Sequence, residues 1–380
     1  MLRVGIDAWG ISGDLLHSGF GQYTALLLRH LPATGPGLEL VAYGGPQEPR
    51  PVWLPEGVEW RALGSGARPR WAALESRLRR LPAAARADRL DLFHSPAVHV
   101  RPSYPPVARP GIPVVATVHD LIPLSFYGSD LPLRLRVFYR WNLRRALTSD
   151  AVVTVSEAAR AEIVSGGRAA GVRRMTVIPN GVEFEPNPDP EPLRRLGVEA
   201  PYLLFAGSYE PRKDLAGALA TFEILAGRGF GHQLVAVVER SSGHAAALRR
   251  RIETSGLANR VRLVHSLTEP DLRALYARAD LLLFPSQAEG FGYPALQAAA
   301  CGVPVVASDL PALRETMDGA AELAPPGDPA AFAAAAERVL RDPGLRDRLA
   351  AAGRKRARLF GVARCVGAHR ELYEALVKGR

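Results

Sequence analysis

The chain has 380 residues, too many for one core and a comfortable length for two domains. It is 47% hydrophobic and 7% aromatic, the balance of a folded rather than a disordered chain, and no apolar run reaches the roughly 18 residues needed to span a bilayer. The net charge of +10 comes almost wholly from arginine, lysine standing only at Lys213, Lys355 and Lys378. Such an excess suits an anionic substrate, an anionic membrane or nucleic acid. No zinc-finger spacing, aromatic-rich RNA motif or basic zipper is present, so nucleic acid is set aside. The start, MLRVGIDAWG, reads as a strand rather than a signal peptide. Cys301 and Cys365 lie in helix-like segments without metal-ligand spacing, and no disulfide framework is expected. The expected compartment is the cytoplasm, with a peripheral place at the inner face of the plasma membrane as the further expectation.

Short apolar runs alternate with helix-length amphipathic segments along the whole chain. The first half offers strands at Arg3–Asp7, Leu38–Tyr43, Leu90–His94, Val114–Val118, Ala151–Val155 and Met175–Ile178. After the first of them, SGFGQYTALLLRHL opens a helix on Gly19 and Gly21, a turn that suits a phosphate. The run PVVATVHDLIPL puts His119 and Asp120 just beyond a strand's carboxyl end, where open parallel sheets bind ligands. Two segments, Trp71–Leu81 and Leu131–Leu147, are amphipathic and rich in arginine, which fits a solvated helix face or docking on anionic lipid. In VSEAAR, Ser156 reads as a helix N-cap. Pro179, Asn180 and Gly181 form a turn.

A proline- and acid-rich stretch, EFEPNPDPEP over Glu183–Pro192, reads as a linker between domains at 1–182 and 193–361, with a last helix from 362 to 380. The second half offers strands at Tyr202–Ala206, Gln233–Val238, Val261–Val264, Leu281–Phe284, Val305–Ala307 and Ala321–Leu323. Continuous apolar strands separated by helices mean parallel sheets covered on both faces. The expected architecture is therefore α/β, two Rossmann-like domains facing each other across a cleft.

Two motifs in the second half carry chemistry. In YLLFAGSYEPRKDLAGALATFEIL, Arg212 and Lys213 stand at a helix start, where cations oppose the helix dipole unless Asp214 or a bound diphosphate offsets them. Lys213 is notable in a chain that otherwise uses arginine, because a compact ammonium can follow a leaving phosphate. In PSQAEGFGYPALQAAACGVPVVASD, a strand runs into the loop Gly290, Phe291, Gly292, Tyr293 and then a helix with Pro294 at its first position. Glu289 stands on the near side of that helix start, and Gln297 follows in the first turn. A carboxylate, an amide and backbone N–H groups around a helix N-terminus make a grip for a polyol and a phosphate.

The stretch from Pro285 to Asp309 resembles the signature of family-4 retaining glycosyltransferases, which have the GT-B fold and use nucleotide sugars. Their pattern of Glu, seven residues and Glu is met by Glu289, GFGYPAL and Gln297, so an amide replaces the second acid. The wording of EPRKDL, HDLIPL and EGFGYP is nearest to bacterial mannosyl- and glucosyltransferases of surface polysaccharide assembly. The resemblance implies that His119 reaches the transferred sugar, with Asp120 contacting the acceptor or orienting His119. It implies that the Gly19 loop lies against the donor diphosphate and shapes the acceptor pocket. The loop HSLTEPDL would touch the nucleobase, and the last helix would cross back onto the first domain. Ser208 stands where the family has an arginine, which leaves the diphosphate charge to Arg212 and Lys213.

No Asp-x-Asp occurs in the chain, so neither a metal nor another cofactor is expected, and preorganised cations and N–H groups would stabilise the leaving diphosphate. The reading is a retaining, metal-independent hexosyltransferase taking mannose first and glucose second, from GDP-mannose or UDP-glucose, to a glycan, lipid-linked or small-molecule acceptor. Ser208 and Gln297 motivate an alternative, a non-catalytic protein that binds nucleotide sugars. An epimerase or phosphorylase on the same scaffold is another.

Overall fold

The computed structural model describes residues 1–13, 16, 18–64, 75–238 and 245–379. The chain forms two compact units, Met1–Gly181 with Gly361–Arg380, and Val182–Phe360. The first holds β1 (Leu2–Asp7), β2 (Leu38–Gly44), β3 (Val58–Ala62), β4 (Leu92–Ser95), β5 (Val114–Val118), β6 (Ala151–Thr154) and β7 (Met175–Val177). They make one parallel sheet in the order β3-β2-β1-β4-β5-β6-β7. The second holds β8 (Tyr202–Ala206), β9 (Gln233–Val237), β10 (Val261–Val264), β11 (Leu281–Phe284), β12 (Val305–Ser308) and β13 (Glu322–Ala324). Their order, β10-β9-β8-β11-β12-β13, repeats the same winding. In both sheets the order reverses beside the first strand, between β1 and β4 and between β8 and β11. That reversal opens a crevice at the strands' carboxyl ends.

Burial explains why these strands were recognisable. Every residue of β4, β5, β6, β8, β11 and β12 is buried, as a sheet covered on both faces requires. β3 is an edge strand in which only Val58 is buried, and the apolar pattern of the sequence does not reveal it. β4 begins at Leu92 rather than Leu90, because the Leu90 N–H closes onto Ala85 O at 2.9 Å and still belongs to the end of the helix Leu81–Ala87. β13 is shifted by one residue against the expected strand.

Helix starts are set by side-chain caps. Ser18 accepts from Gly21 N at 3.1 Å to begin the helix Gly19–His30, and Ser156 accepts from Ala159 N at 3.0 Å. Thr268 and Asp271 form a reciprocal capping box on the helix Glu269–Ala277. The stretch Glu183–Pro192 is packed into the second unit, with Phe184 buried edge-on against Tyr276 at 5.1 Å. In the first unit the core runs through Val4, Ile6, Tyr23, Leu27, Val115 and Val153, and the C-terminal helix Val362–Lys378 adds Cys365, Val366, Leu372 and Tyr373 to it. Gly181 lies so close beneath that helix that a Cβ there would stand 2.9 Å from the Val362 backbone.

Candidate functional site

β8 leaves the second sheet at Ala206 and passes through Gly207 and Ser208 to a single 3₁₀ turn, Pro211–Lys213. Asp214 then caps the helix Leu215–Gly227 by accepting from Gly217 N at 2.8 Å. It does so in a left-handed conformation, φ 51°. Glu289 arrives from the neighbouring strand β11. Its Oε1 lies 2.5 Å from Lys213 Nζ and 3.7 Å from Arg212 Nη1. Lys213 also stands 5.2 Å above the Phe284 ring, and Arg212 Nε donates to Glu210 at 2.6 Å. Gln287 joins the two loops, its N–H on Arg212 O and its amide on Asp214 Oδ2, both at 2.7 Å. Three of the expected site residues are thus together at the point where the strand order reverses.

The Lys213 and Glu289 side chains are only 11% and 7% exposed, so each needs the other. Burial alone would push the Glu289 carboxyl upward, but Lys213 first and Arg212 second hold it below its ordinary value. Burial pulls the Lys213 ammonium down against the opposing pull of Glu289. One of the three ammonium donors is committed to Glu289; an –NH₃⁺ group has two more.

The loop after Glu289 is fixed rather than open. Gly290, Phe291 and Gly292 are buried. Phe291 O accepts from Thr316 Oγ1 at 3.1 Å, and its ring meets Tyr293 and Phe360 at 5.5 and 5.6 Å. Gly292 adopts φ 94°, and a Cβ there would meet Leu313 at 2.5 Å, so only glycine can turn the chain into the helix Tyr293–Cys301. The helix starts at Tyr293, with Pro294 second. Gln297 is therefore its fifth residue and sits in the second turn, not the first. The Gln297 side chain makes no hydrogen bond to another described residue. The Ser208 hydroxyl accepts from Glu210 N at 3.4 Å.

In the first unit His119 follows β5 and is half-buried. Its Nε2 lies 2.8 Å from Pro96 O, and the Tyr23 ring meets it edge-on at 4.9 Å. A carbonyl only accepts, so Nε2 carries the proton and Nδ1 keeps its lone pair. Burial pulls the pKa of His119 down to about 4, which keeps the ring neutral. Asp120 Oδ1 accepts from Ile122 N at 3.0 Å. Gly19 opens its helix with open space around it, and Gly21 lines a small cavity with Asp7, Trp9, Phe20, Pro96 and His99.

Beneath His119 lies a network that sequence reading missed. His369 Nδ1 donates to Cys365 O at 2.8 Å, which leaves Nε2 to accept from the Tyr23 hydroxyl at 2.6 Å. The Tyr23 oxygen then accepts from Thr117 at 2.9 Å, and Thr117 from His94 Nε2 at 2.8 Å. His94 Nδ1 accepts from Tyr373 at 2.7 Å. Valence fixes every proton in this chain once its last acceptor is a carbonyl. His94, Thr117 and His369 are fully buried, as are both tyrosines. Burial lowers both histidine pKa values, that of His369 to about 4. Nothing local could have announced the network, because His94 and Tyr373 are 279 residues apart.

Known proteins with this organisation divide the chain in the same manner. Residues 17–186 match the family described as Glycosyltransferase Family 4, and residues 194–356 match Glycosyl transferases group 1. The D-inositol 3-phosphate glycosyltransferase of Kineococcus radiotolerans is 31% identical over 256 residues, 61% of this chain and 58% of its own length. The O-antigen chain mannosyltransferase B of Escherichia coli is 31% identical over 164 residues, 43% of each chain. The chain thus spans about half the length of these curated relatives. Among solved structures, sucrose-phosphate synthase from Thermosynechococcus elongatus superposes over 100% of both chains with a TM-score of 0.81 at 21% identity, which establishes a shared fold.

Proposed function

Since the chain belongs to the family-4 and group 1 glycosyltransferases with a two-domain α/β GT-B fold, we propose that it moves a hexose from a nucleoside diphosphate sugar to a glycan, lipid-linked or small-molecule acceptor. The observation that carries this reading is the buried cluster of Lys213, Arg212 and Glu289 at the β8–β11 crevice. Glu289 holds one donor of the Lys213 ammonium and Glu210 one of the Arg212 guanidinium; the further N–H donors these groups carry suit a diphosphate, and the Glu289 carboxylate suits sugar hydroxyls. The C1–O bond to the diphosphate breaks as the acceptor oxygen bonds to C1 on the same face. The acceptor's proton passes to the departing phosphate oxygen, and the configuration at C1 is retained. Lys213 and Arg212 stabilise the charge that develops there, without a metal. The Gly290–Tyr293 turn holds the diphosphate side of the donor, and Gln297 meets the ribose as both donor and acceptor. In the other unit His119 keeps Nδ1 as an acceptor for a sugar hydroxyl, the Gly19–Gly21 turn serves the donor diphosphate and shapes the acceptor pocket, and Asp120 serves the acceptor side.

Mannose is the favoured sugar, in line with the name of the O-antigen relative, with glucose second. A lipid-linked acceptor would set the reaction at an anionic membrane surface. The test is a metal-free thermal-shift screen against GDP, UDP and ADP, followed by transfer assays with GDP-mannose and UDP-glucose. A selective shift with one nucleotide, lost in Lys213→Ala, is the expected result. No shift with any of the three overturns the donor site, and a shift without transfer to any acceptor favours the non-catalytic alternative.

A further inference from the structure

The helix Leu133–Leu147 is held tightly on one side and bare on the other. Its inner face buries Tyr139, Leu143, Ala146 and Leu147 against Val114, Ala116, Val118 and Val152 of the first sheet. Asn142 fixes it further, accepting from Val107 N at 2.8 Å and donating to His99 O at 3.0 Å. On the outer face Leu133, Val137 and Trp141 recur at every fourth residue and are 66%, 58% and 39% exposed. That spacing sets them in one stripe along the helix. Phe138 and the Arg145 guanidinium back the Trp141 ring at 5.6 and 5.2 Å.

Arg134, Arg136, Arg140 and Arg144 flank the stripe, and the helix contains no acidic residue. None of these four guanidinium groups has an ion-pair partner among the described residues. Unpaired arginines recur on the helix Pro343–Arg358, but no large apolar side chain of that helix is exposed, and some other helices pair theirs. Arg338 and Arg341 meet Glu322 and Glu337, and Arg370 meets Glu374. Arg134 and Arg136 also stand in the first turn, where a cation opposes the dipole. Folding gains nothing from this concentration of unpaired charge around exposed apolar groups. An anionic surface with an apolar interior satisfies both halves of the face at once.

We propose that the outer face of Leu133–Leu147 is a docking surface for an anionic lipid bilayer. The helix lies in the plane of the headgroups, Leu133 and Val137 enter the acyl boundary, Trp141 sits at the interface, and the arginines reach lipid phosphates. Nucleic acid would meet the arginines but leave the apolar stripe in water. No helix among the described residues is long and apolar enough to cross a membrane, so this contact is peripheral. The assignment deepens the lipid-linked side of the proposed acceptor range and rests on that reading for its purpose. Vesicle binding needs neither donor nor acceptor, so the two can fail separately.

The test is co-sedimentation of the full chain with phosphatidylcholine vesicles, with and without phosphatidylglycerol. Binding is expected only with phosphatidylglycerol and should fall as salt rises. The variant R134Q/R140Q/R144Q should bind about a hundredfold more weakly, since each arginine near the surface contributes about fivefold. L133S/V137S should lose about tenfold through apolar area alone. A control, R348Q/R354Q/R358Q, removes three exposed arginines from the helix Pro343–Arg358 and should bind as the parent does. Melting temperatures establish that each variant is folded. Absence of binding to phosphatidylglycerol vesicles, equal loss in the control, or unaltered binding by L133S/V137S overturns the proposal. Capture of RNA in preference to the vesicles does so as well.

Discussion

Under His119 the first unit buries His94, Thr117, Tyr23, His369 and Tyr373 as uncharged groups, each donating one hydrogen bond in a fixed direction. The second unit buries Lys213 and Glu289 as full charges 2.5 Å apart, with Arg212 beside them. Both arrangements satisfy polar atoms away from water, but they respond oppositely to perturbation. The neutral chain has no room for an extra proton, because one more on His369 would meet the Tyr23 hydroxyl's own hydrogen. The charged pair tolerates a change of pH and fails when one partner is removed. Binding of a charged donor suits the second arrangement, and holding a ring in one tautomer suits the first.

Acid should separate the two units most strongly. His119 and His369 titrate near 6.5 when unfolded and near 4 in the folded chain. Between those values the unfolded state binds more protons, so the stabilisation is complete above pH 6.5 and is lost as the pH falls toward 4. Each histidine contributes about 3 kcal/mol across that window. Hydrogen exchange should show the amides of β5 and β6 losing protection at pH 4.5 well before those of β8 and β11. Equal losses in both sheets would contradict the comparison.

Next in size is the ion pair. Glu289→Leu leaves Lys213 buried without a partner and should cost about 3–5 kcal/mol in chemical denaturation, while K213M/E289L should recover most of it. Donor turnover should stay lost in both, and Lys213→Ala alone should lower kcat by about 10²–10³-fold. Recovery of turnover in the double variant would remove the pair from the chemistry. Tyr23→Phe takes one hydroxyl from the neutral chain and leaves His369 Nε2 and Thr117 short of a partner, at about 1–3 kcal/mol. An unchanged melting curve would show that the network is not cooperative. The smallest effect is expected from Gln297→Glu. A carboxylate accepts more strongly than an amide, so nucleotide affinity by calorimetry should rise about fivefold. No change would mean that the amide is adapted to its ligand.

Most of the strands could be read from the sequence because parallel sheets bury both faces and leave unbroken apolar runs. β3 escaped because an edge strand keeps only Val58 inside. Glu289 and Lys213 drew notice through local context, a glycine turn at a helix start and a lysine in an arginine-rich chain. Their direct pairing across 76 residues is a property of the β8–β11 crossing and has no local trace. Gln297 was misplaced by one residue, just enough to carry it past the first turn, because the left-handed Gly292, rather than Pro294, sets where the helix begins. The histidine chain was wholly hidden, since its members come from two strands and the two ends of the polypeptide.

His369 and Tyr373 lie in the first unit's core, yet they are synthesised after the whole of the second unit. Domains usually fold in the order in which they leave the ribosome. Here the order is reversed: the second unit is contiguous and can close first, while the sheet made earlier waits for its last helix. Until the helix Val362–Lys378 has been made, Tyr23 and His94 lack their partners His369 and Tyr373, and the core that this helix completes stays open to water.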